Sequence, residues 1–93
     1  MLCKTDKEWQ YAIKGDGAPC PVCRLRPGVE AHHLISRGVK RFRRETMNGL
    51  AVCHECHEDR AMILRWLEQN RPEQWKWYCE HKNEIKRGFE HGR

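Results

Sequence analysis

The chain has 93 residues, of which 18 are Lys or Arg and 13 are Asp or Glu, and its net charge is +5 with histidine neutral. This length predicts one domain over residues 1–93, with a thin core that favours stabilisation by a metal ion. No apolar stretch reaches the roughly 20 residues of a transmembrane helix, and no apolar signal segment opens the chain, which disfavours a membrane or secreted protein. The excess of positive charge favours a polyanionic partner such as nucleic acid.

The predicted elements define an α+β protein. Thr5-Asp6-Lys7-Glu8 has the form of a capping box and predicts a helix over about 5–14. Two short strands are expected over 29–35 and 48–53, followed by a helix over 54–70. Pro72 opens a last helix over about 72–88. We therefore expect a two-stranded antiparallel hairpin plus a helix, braced by an N-terminal and a C-terminal helix.

Four cysteines form two Cys-x-x-Cys pairs, which are Cys20 with Cys23 and Cys53 with Cys56. Two such pairs predict a structural Zn²⁺ site made of four thiolates. Disulfide bonds are the alternative, but nothing in the sequence indicates an oxidising compartment. Cys3 and Cys79 are left over and are expected to be free or buried thiols.

Histidines and an asparagine lie between and directly after the cysteine pairs. The segments concerned are Cys20-Pro-Val-Cys23, Glu30-Ala-His-His-Leu-Ile-Ser-Arg-Gly38, Asn48-Gly-Leu-Ala-Val-Cys53 and Cys56-His57. In their order and spacing, over about residues 18–62, they resemble an HNH endonuclease of the ββα-metal (His-Me finger) superfamily. The resemblance implies a ββα-metal core stapled by the four-cysteine zinc.

The resemblance also implies a role for each candidate catalytic residue. His33 matches the family's general base, and Asn48 matches the residue that holds this base in place. His32 matches a metal ligand that is more often Asp, and His57 matches the second protein ligand of the catalytic ion. Arg60 falls near a position where many members carry Lys.

The residue types agree with these roles. One divalent ion with two protein ligands keeps positions for phosphate and water, and a neutral imidazole can accept the proton of the water. Histidine ligands should let Mn²⁺, Ni²⁺, Co²⁺ or Zn²⁺ compete with Mg²⁺. Neighbouring strand residues point to opposite faces, so the strand should twist or end at His32-His33. The alternative for these two residues is a pair of core or zinc-proximal histidines.

Residues 37–44 carry five cations and no acid, and they connect the two predicted strands. The cations are Arg37, Lys40, Arg41, Arg43 and Arg44. A solvated surface is the ordinary interpretation of such a run. Next to the candidate active site, contact with DNA phosphates is favoured.

Together these features predict a metal-dependent DNA endonuclease that nicks duplex DNA with low sequence specificity. The resemblance implies products with 5′-phosphate and 3′-hydroxyl ends. A non-catalytic zinc-stapled module that binds DNA or another protein is the alternative. Intact, nicked, branched and damaged DNA stay open as substrates. Four tryptophans favour a core, with a homodimer face as the alternative. The resemblance implies the cytoplasm of a bacterial or phage-infected cell.

Overall fold

The computed structural model describes residues 2–15 and 17–91, with side chains up to Asn83. Within these ranges it contains α1 (Asp6–Lys14), β1 (Glu30–His33), β2 (Gly49–Val52), α2 (His54–His57), α3 (Arg60–Asn70) and α4 (Pro72–His91). Short 3₁₀ turns at Lys40–Phe42 and Thr46–Asn48 lie between the strands. The α+β class with an antiparallel two-stranded sheet is confirmed. Residues 1, 16, 92 and 93 of the predicted domain lie outside the described residues.

Local signals set the start and end of α1. The Thr5 hydroxyl accepts a hydrogen bond from the Glu8 N–H at 3.1 Å, and the Glu8 carboxylate accepts one from the Lys4 N–H at 2.9 Å. Gly15 ends the helix with φ 57°, a conformation that glycine adopts without a Cβ clash. The predicted helix over 5–14 therefore agrees with the structure, apart from Thr5, which is its N-cap.

The two strands are shorter than predicted, and β1 ends at the His32-His33 pair. The register places His33 opposite Gly49 and Glu30 opposite Val52. After His33 the chain leaves the strand, and the Leu34 and Ile35 side chains are fully buried. An end of the strand at this pair is what the convergence of both imidazoles on one site requires.

The close approach of α1 to the sheet depends on the glycine that begins β2. A Cβ at Gly49 would lie 2.5 Å from Cδ1 of Ile13 and 2.7 Å from Cζ2 of Trp9. Both distances are shorter than any van der Waals contact. Only glycine lets α1 pack directly on the strand position that pairs with His33.

The predicted helix over 54–70 is in fact two helices, and Asp59 separates them. Its backbone angles, φ −114° and ψ 82°, are not helical. Its carboxylate accepts from the Met62 N–H at 3.1 Å, so Asp59 is the N-cap of α3. Its own N–H donates to the Cys56 carbonyl and closes the short helix α2. The prediction of one continuous helix was wrong because this cap satisfies the backbone at the break.

The core lies between the sheet, α3 and α4. Its fully buried members include Val52 of β2 and Ile63 and Leu67 of α3. Trp66, Trp75 and Trp77 pack against this core, as the sequence predicts. The buried Gln74 amide of α4 donates to the carbonyls of Met47 and Gly49 at 2.9 and 2.7 Å, which joins α4 to the start of β2. In the described part of the chain no helix is long and apolar enough to cross a bilayer.

Candidate functional site

The four cysteines of the two Cys-x-x-Cys pairs meet at one point. Their sulfur atoms all lie within 4.8 Å of one another, and the Cys23 and Cys53 sulfurs are 3.7 Å apart. Four thiolates around Zn²⁺ at 2.3 Å would be separated by about 3.8 Å, so the cluster fits a tetrahedral ion. Among the described residues this is the only group of three or more acidic, His or Cys ligands so close together. All six cysteines are unpaired thiols, including Cys3 and Cys79.

Backbone geometry and burial shift the pKa values of the cluster thiols in opposite directions. The Leu25 N–H donates to the Cys23 sulfur and is the main cause that lowers the pKa of this thiol to about 6. Burial is the main cause that raises the pKa of Cys56. Thiolates this close repel one another, so full ionisation of the cluster needs a bound cation.

His32 and His57 bring two ring nitrogens together. Their Nδ1 atoms are 3.1 Å apart, and the two rings meet edge to face. Two nitrogens bound to one ion at 2.0–2.1 Å lie about 2.9–3.4 Å apart, so the pair fits a shared divalent ion. The same separation suits a hydrogen bond between the rings. Burial is the main cause that lowers the pKa of His32 to about 4, so this imidazole is neutral and able to act as a ligand at pH 7.

The Glu30 carboxylate lies near the ring nitrogen of His57 that does not face His32. Its Oε2 is 3.7 Å from Nε2 of His57, on the far side of the ring from Nδ1. A carboxylate near the outer nitrogen of a histidine ligand favours a proton on that nitrogen and leaves the other free to bind metal. The sequence carried a signal for this residue, because positions 30 and 32 of a strand share one face.

His33 is oriented by a backbone carbonyl. Its Nε2 lies 2.9 Å from the Arg43 carbonyl oxygen, which can only accept, so the proton of the neutral ring is on Nε2 and the lone pair is on Nδ1. Burial lowers the pKa of His33, and the bond to Arg43 partly opposes this effect. His33 is therefore a neutral base at pH 7.

Asn48 fixes both partners of this hydrogen bond. Its side chain is fully buried and bonds to the backbone of Ile35 in both directions, at 2.6 and 3.0 Å. Its amide also donates to the Phe42 carbonyl at 3.0 Å. One side chain thus connects the segment just after His33 with the residue just before Arg43.

The N-terminal helix supplies two contacts that no sequence motif indicated. The Trp9 indole stacks on the His33 imidazole, with ring centroids 3.9 Å apart and planes 11° apart. Asp6 accepts from Arg43 at 2.6 Å and from Arg44 at 3.1 Å. The bond from Arg44 is the largest of the effects that lower the pKa of Asp6.

The five cations of residues 37–44 therefore divide into two groups. Arg43 and Arg44 are partly buried and paired with Asp6. Arg37, Lys40 and Arg41 are exposed, and the Arg41 guanidinium lies 5.1 Å from the centre of the Phe42 ring. Arg60 is not at the cavity: it donates to the Leu34 carbonyl at 2.5 Å and contacts Tyr78.

The three histidines line one cavity of about 340 Å³, together with Glu30, Trp9 and Arg37. Asn48 and the four cysteines do not line this cavity. Comparisons with protein-family models, with curated proteins and with solved structures found no match. The geometry of this cavity is therefore the basis for inferring function.

Proposed function

We propose that the protein is a metal-dependent DNA endonuclease with a core of the ββα-metal type. The observation that carries the proposal is the convergence of three histidines on one cavity. Two of them, His32 and His57, bring their Nδ1 atoms within 3.1 Å, and the third is held by its own hydrogen bond. This arrangement offers a site for one divalent ion beside a neutral base.

The catalytic roles follow from the state of each side chain. A divalent ion at His32 and His57 would neutralise charge on the phosphate and on the leaving oxygen. His33 carries its proton on Nε2, so its Nδ1 would take the proton of the attacking water. Attack at phosphorus with loss of the 3′ oxygen gives 5′-phosphate and 3′-hydroxyl ends. Mn²⁺, Ni²⁺, Co²⁺ or Zn²⁺ would compete with Mg²⁺ at two imidazole ligands.

The four-cysteine cluster would hold a structural Zn²⁺ that also positions the catalytic site. Cys56 is followed directly by His57, and the Cys53 sulfur accepts from the Cys56 N–H at 3.4 Å. An ion on these sulfurs would fix the backbone of α2 and so the position of the His57 ring.

The exposed cations next to the cavity support DNA as the substrate. Arg37 lines the cavity, and Lys40 follows on the same loop. Cations at these positions would contact the phosphates on either side of the bond to be cleaved. Contacts to phosphate carry no sequence information, which agrees with low sequence specificity.

The test is nicking of supercoiled plasmid by the native chain with Mn²⁺, with Mg²⁺ and with EDTA. We expect cleavage with the added metals and none with EDTA. His33→Ala should lose a factor of about 10²–10⁴ in rate while it keeps its affinity for Mn²⁺ and DNA. Gln69→Ala is the control, because Gln69 is exposed on α3 and does not line the cavity.

Each of the other outcomes would lead to a different conclusion about the function of the protein. Native cleavage that His33→Ala leaves unchanged would contradict the assignment of the base. DNA binding without cleavage under any of these metals would indicate a zinc-stapled DNA-binding module. A chain that neither binds nor cleaves DNA would indicate a protein-interaction module.

A further inference from the structure

We propose that Trp9 is a positioning residue that holds the His33 imidazole in the plane required for proton transfer. The inference rests on the proposed nuclease function. It adds a residue from α1, which lies outside the segment that resembles HNH enzymes.

The first observation is the stacking geometry of the Trp9 and His33 rings. The ring centroids are 3.9 Å apart and the planes are nearly parallel, at 11°. Stacked rings at this distance are in van der Waals contact, so the His33 ring cannot rotate about its Cβ–Cγ bond without striking the indole. The contact joins residues 24 positions apart in the chain.

The second observation is that Trp9 is itself fixed in place. Its side chain is only 2% exposed, and its Nε1–H donates to the Glu45 carbonyl at 2.8 Å. Gly49, which pairs with His33 in the sheet, leaves the space that the indole occupies. The indole is therefore a rigid surface and not a mobile side chain that happens to lie nearby.

The third observation is that Trp9 completes the constraints on the ring. The Arg43 carbonyl fixes one edge of the imidazole, and Asn48 fixes the backbone on both sides of that bond. Neither contact restrains the face of the ring. The indole covers one face and leaves the Nδ1 edge as the part that can meet a water molecule.

The expected consequence is kinetic. Proton transfer needs a distance of roughly 2.6–3.2 Å between the base and the water oxygen. A displacement of about 1 Å costs on the order of 10²-fold in rate. Loss of the stack should therefore lower kcat while the affinity for DNA, which depends on the loop cations, stays the same.

The test compares Trp9→Leu with the conservative Trp9→Phe in plasmid nicking with Mn²⁺, at a temperature where circular dichroism shows both to be folded. We expect Trp9→Leu to lower kcat by about 10- to 100-fold with KM for DNA unchanged within about twofold. Trp9→Phe keeps an aromatic face and should recover most of that loss. In a His33→Ala background, Trp9→Leu should have no further effect, because the group that it positions is gone.

Two results would overturn the role of Trp9 while the nuclease function stands. One is a folded Trp9→Leu protein with native kcat. The other is an equal loss from Trp9→Leu with and without His33, which is the mark of a general structural effect. If the native chain itself does not cleave DNA, the nuclease function and this inference fail together.

A measurement without catalysis keeps the inference testable if Trp9→Leu does not fold. In the native protein, the ring current of a stacked indole should shift the His33 ring protons upfield in the NMR spectrum, and His33→Ala assigns those signals. Trp9→Phe should reduce the shift. Ring protons at ordinary positions in the native protein would show that the stack is absent and would overturn the inference.

Discussion

The charge states of the histidines decide what the cavity can do. Burial is the main cause that lowers the pKa of both His32 and His33, and neighbouring positive groups add to it. In the proposed mechanism, two imidazoles that are neutral near pH 7 would serve as a metal ligand and a base without the need for a high pH. An exposed pair of ordinary histidines would already be partly protonated just below neutral pH.

The lowered pKa of His32 predicts a loss of folding stability in acid. Below pH 6.5 the unfolded chain binds a proton at His32, but the folded chain does not until about pH 4. Stability should therefore fall as the pH drops from about 6.5 to about 4, by at most about 3 kcal/mol from this residue. Urea unfolding of the native chain and of His32→Asn at several pH values isolates this contribution. A difference between the two proteins that does not change with pH would contradict it.

Replacement of His57 should damage the ion site and leave the base intact. A direct ligand should matter at least as much as an outer partner, whose loss costs about 10- to 100-fold in metal affinity. For His57→Ala we expect a weaker apparent Mn²⁺ affinity by at least this factor and partial recovery of the rate at high Mn²⁺. Both effects are measured by the nicking rate as a function of Mn²⁺ concentration. No recovery, with native Mn²⁺ affinity, would favour a simple hydrogen bond between His32 and His57.

At the scale of the elements, the four-cysteine cluster should matter for folding and not merely for activity. Cys53 is 1% exposed and joins the end of β2 to the start of α2. Cys53→Ser should lose bound zinc and lower the melting temperature, because metal binding in such sites contributes free energy on the scale of the whole fold.

Cys79→Ser is the matched control for this experiment. Cys79 is a partly buried thiol on α4 outside the cluster, so its replacement should keep the zinc. Equal melting temperatures and equal zinc content for Cys53→Ser and the native chain would contradict a structural metal.

The packing of α1 on β2 should be sensitive to one methyl group. In Gly49→Ala the new Cβ would lie 2.5 Å from the Ile13 side chain, so α1 must shift. We expect a destabilisation of about 1–3 kcal/mol, as for other overpacked cores, measured by urea unfolding. Gly38→Ala is the control, since the nearest atom to its Cβ would be 3.5 Å away. Equal stability of the two variants would show that α1 does not pack as described.

Sequence reasoning succeeded where the signal is local. The capping box at Thr5 and the proline at the start of α4 each act within a few residues, and a helix begins at each one. The two cysteine pairs meet in one cluster, and the zinc ion that they would bind stays a prediction. The break at Asp59 was missed because an aspartate inside an apolar helical pattern can be an interior residue or a cap. Only the fold decides between them.

The contacts of Trp9 and Asp6 with the site could not be predicted, because they depend on where α1 lies. An apolar residue on one side of a helix indicates burial but not its partner. The partner here is set by Gly49, and the sequence does not reveal that this glycine is a packing site and not a turn. The roles of His32, His33 and His57 stay predictions that the mutants described above would test.

At the scale of the whole molecule, Arg43 and Arg44 are paired with Asp6, whereas Arg37, Lys40 and Arg41 are exposed. If these three contact phosphates, the slope of log K against log salt on duplex DNA should be about −2.7, and about −4.5 if all five do. Arg37→Gln with Lys40→Gln should reduce the magnitude of the slope by about 1.8.

A pair of exposed cations away from the loop provides the control for charge alone. Arg65 of α3 and Lys76 of α4 are both exposed, and their double replacement by Gln removes the same charge. This control should leave the slope nearly unchanged. A slope that responds equally to both double variants would place the DNA footprint across the whole basic surface, including Lys82 of α4.

The two proposed metal sites differ in the number of protein ligands that would hold the ion. Cys20, Cys53 and Cys56 are at most 3% exposed and Cys23 is partly exposed, whereas the histidine site has one buried ligand, His32, and one whose side chain is 35% exposed, His57. An ion held by two histidines should therefore exchange with solvent faster than an ion held by four thiolates, three of them buried. Inactivation by a chelator should therefore have a fast phase that added Mn²⁺ reverses and a slow phase that it does not. The time course of the loss of activity, and not only its extent, therefore distinguishes removal of the proposed catalytic ion from removal of the proposed structural ion.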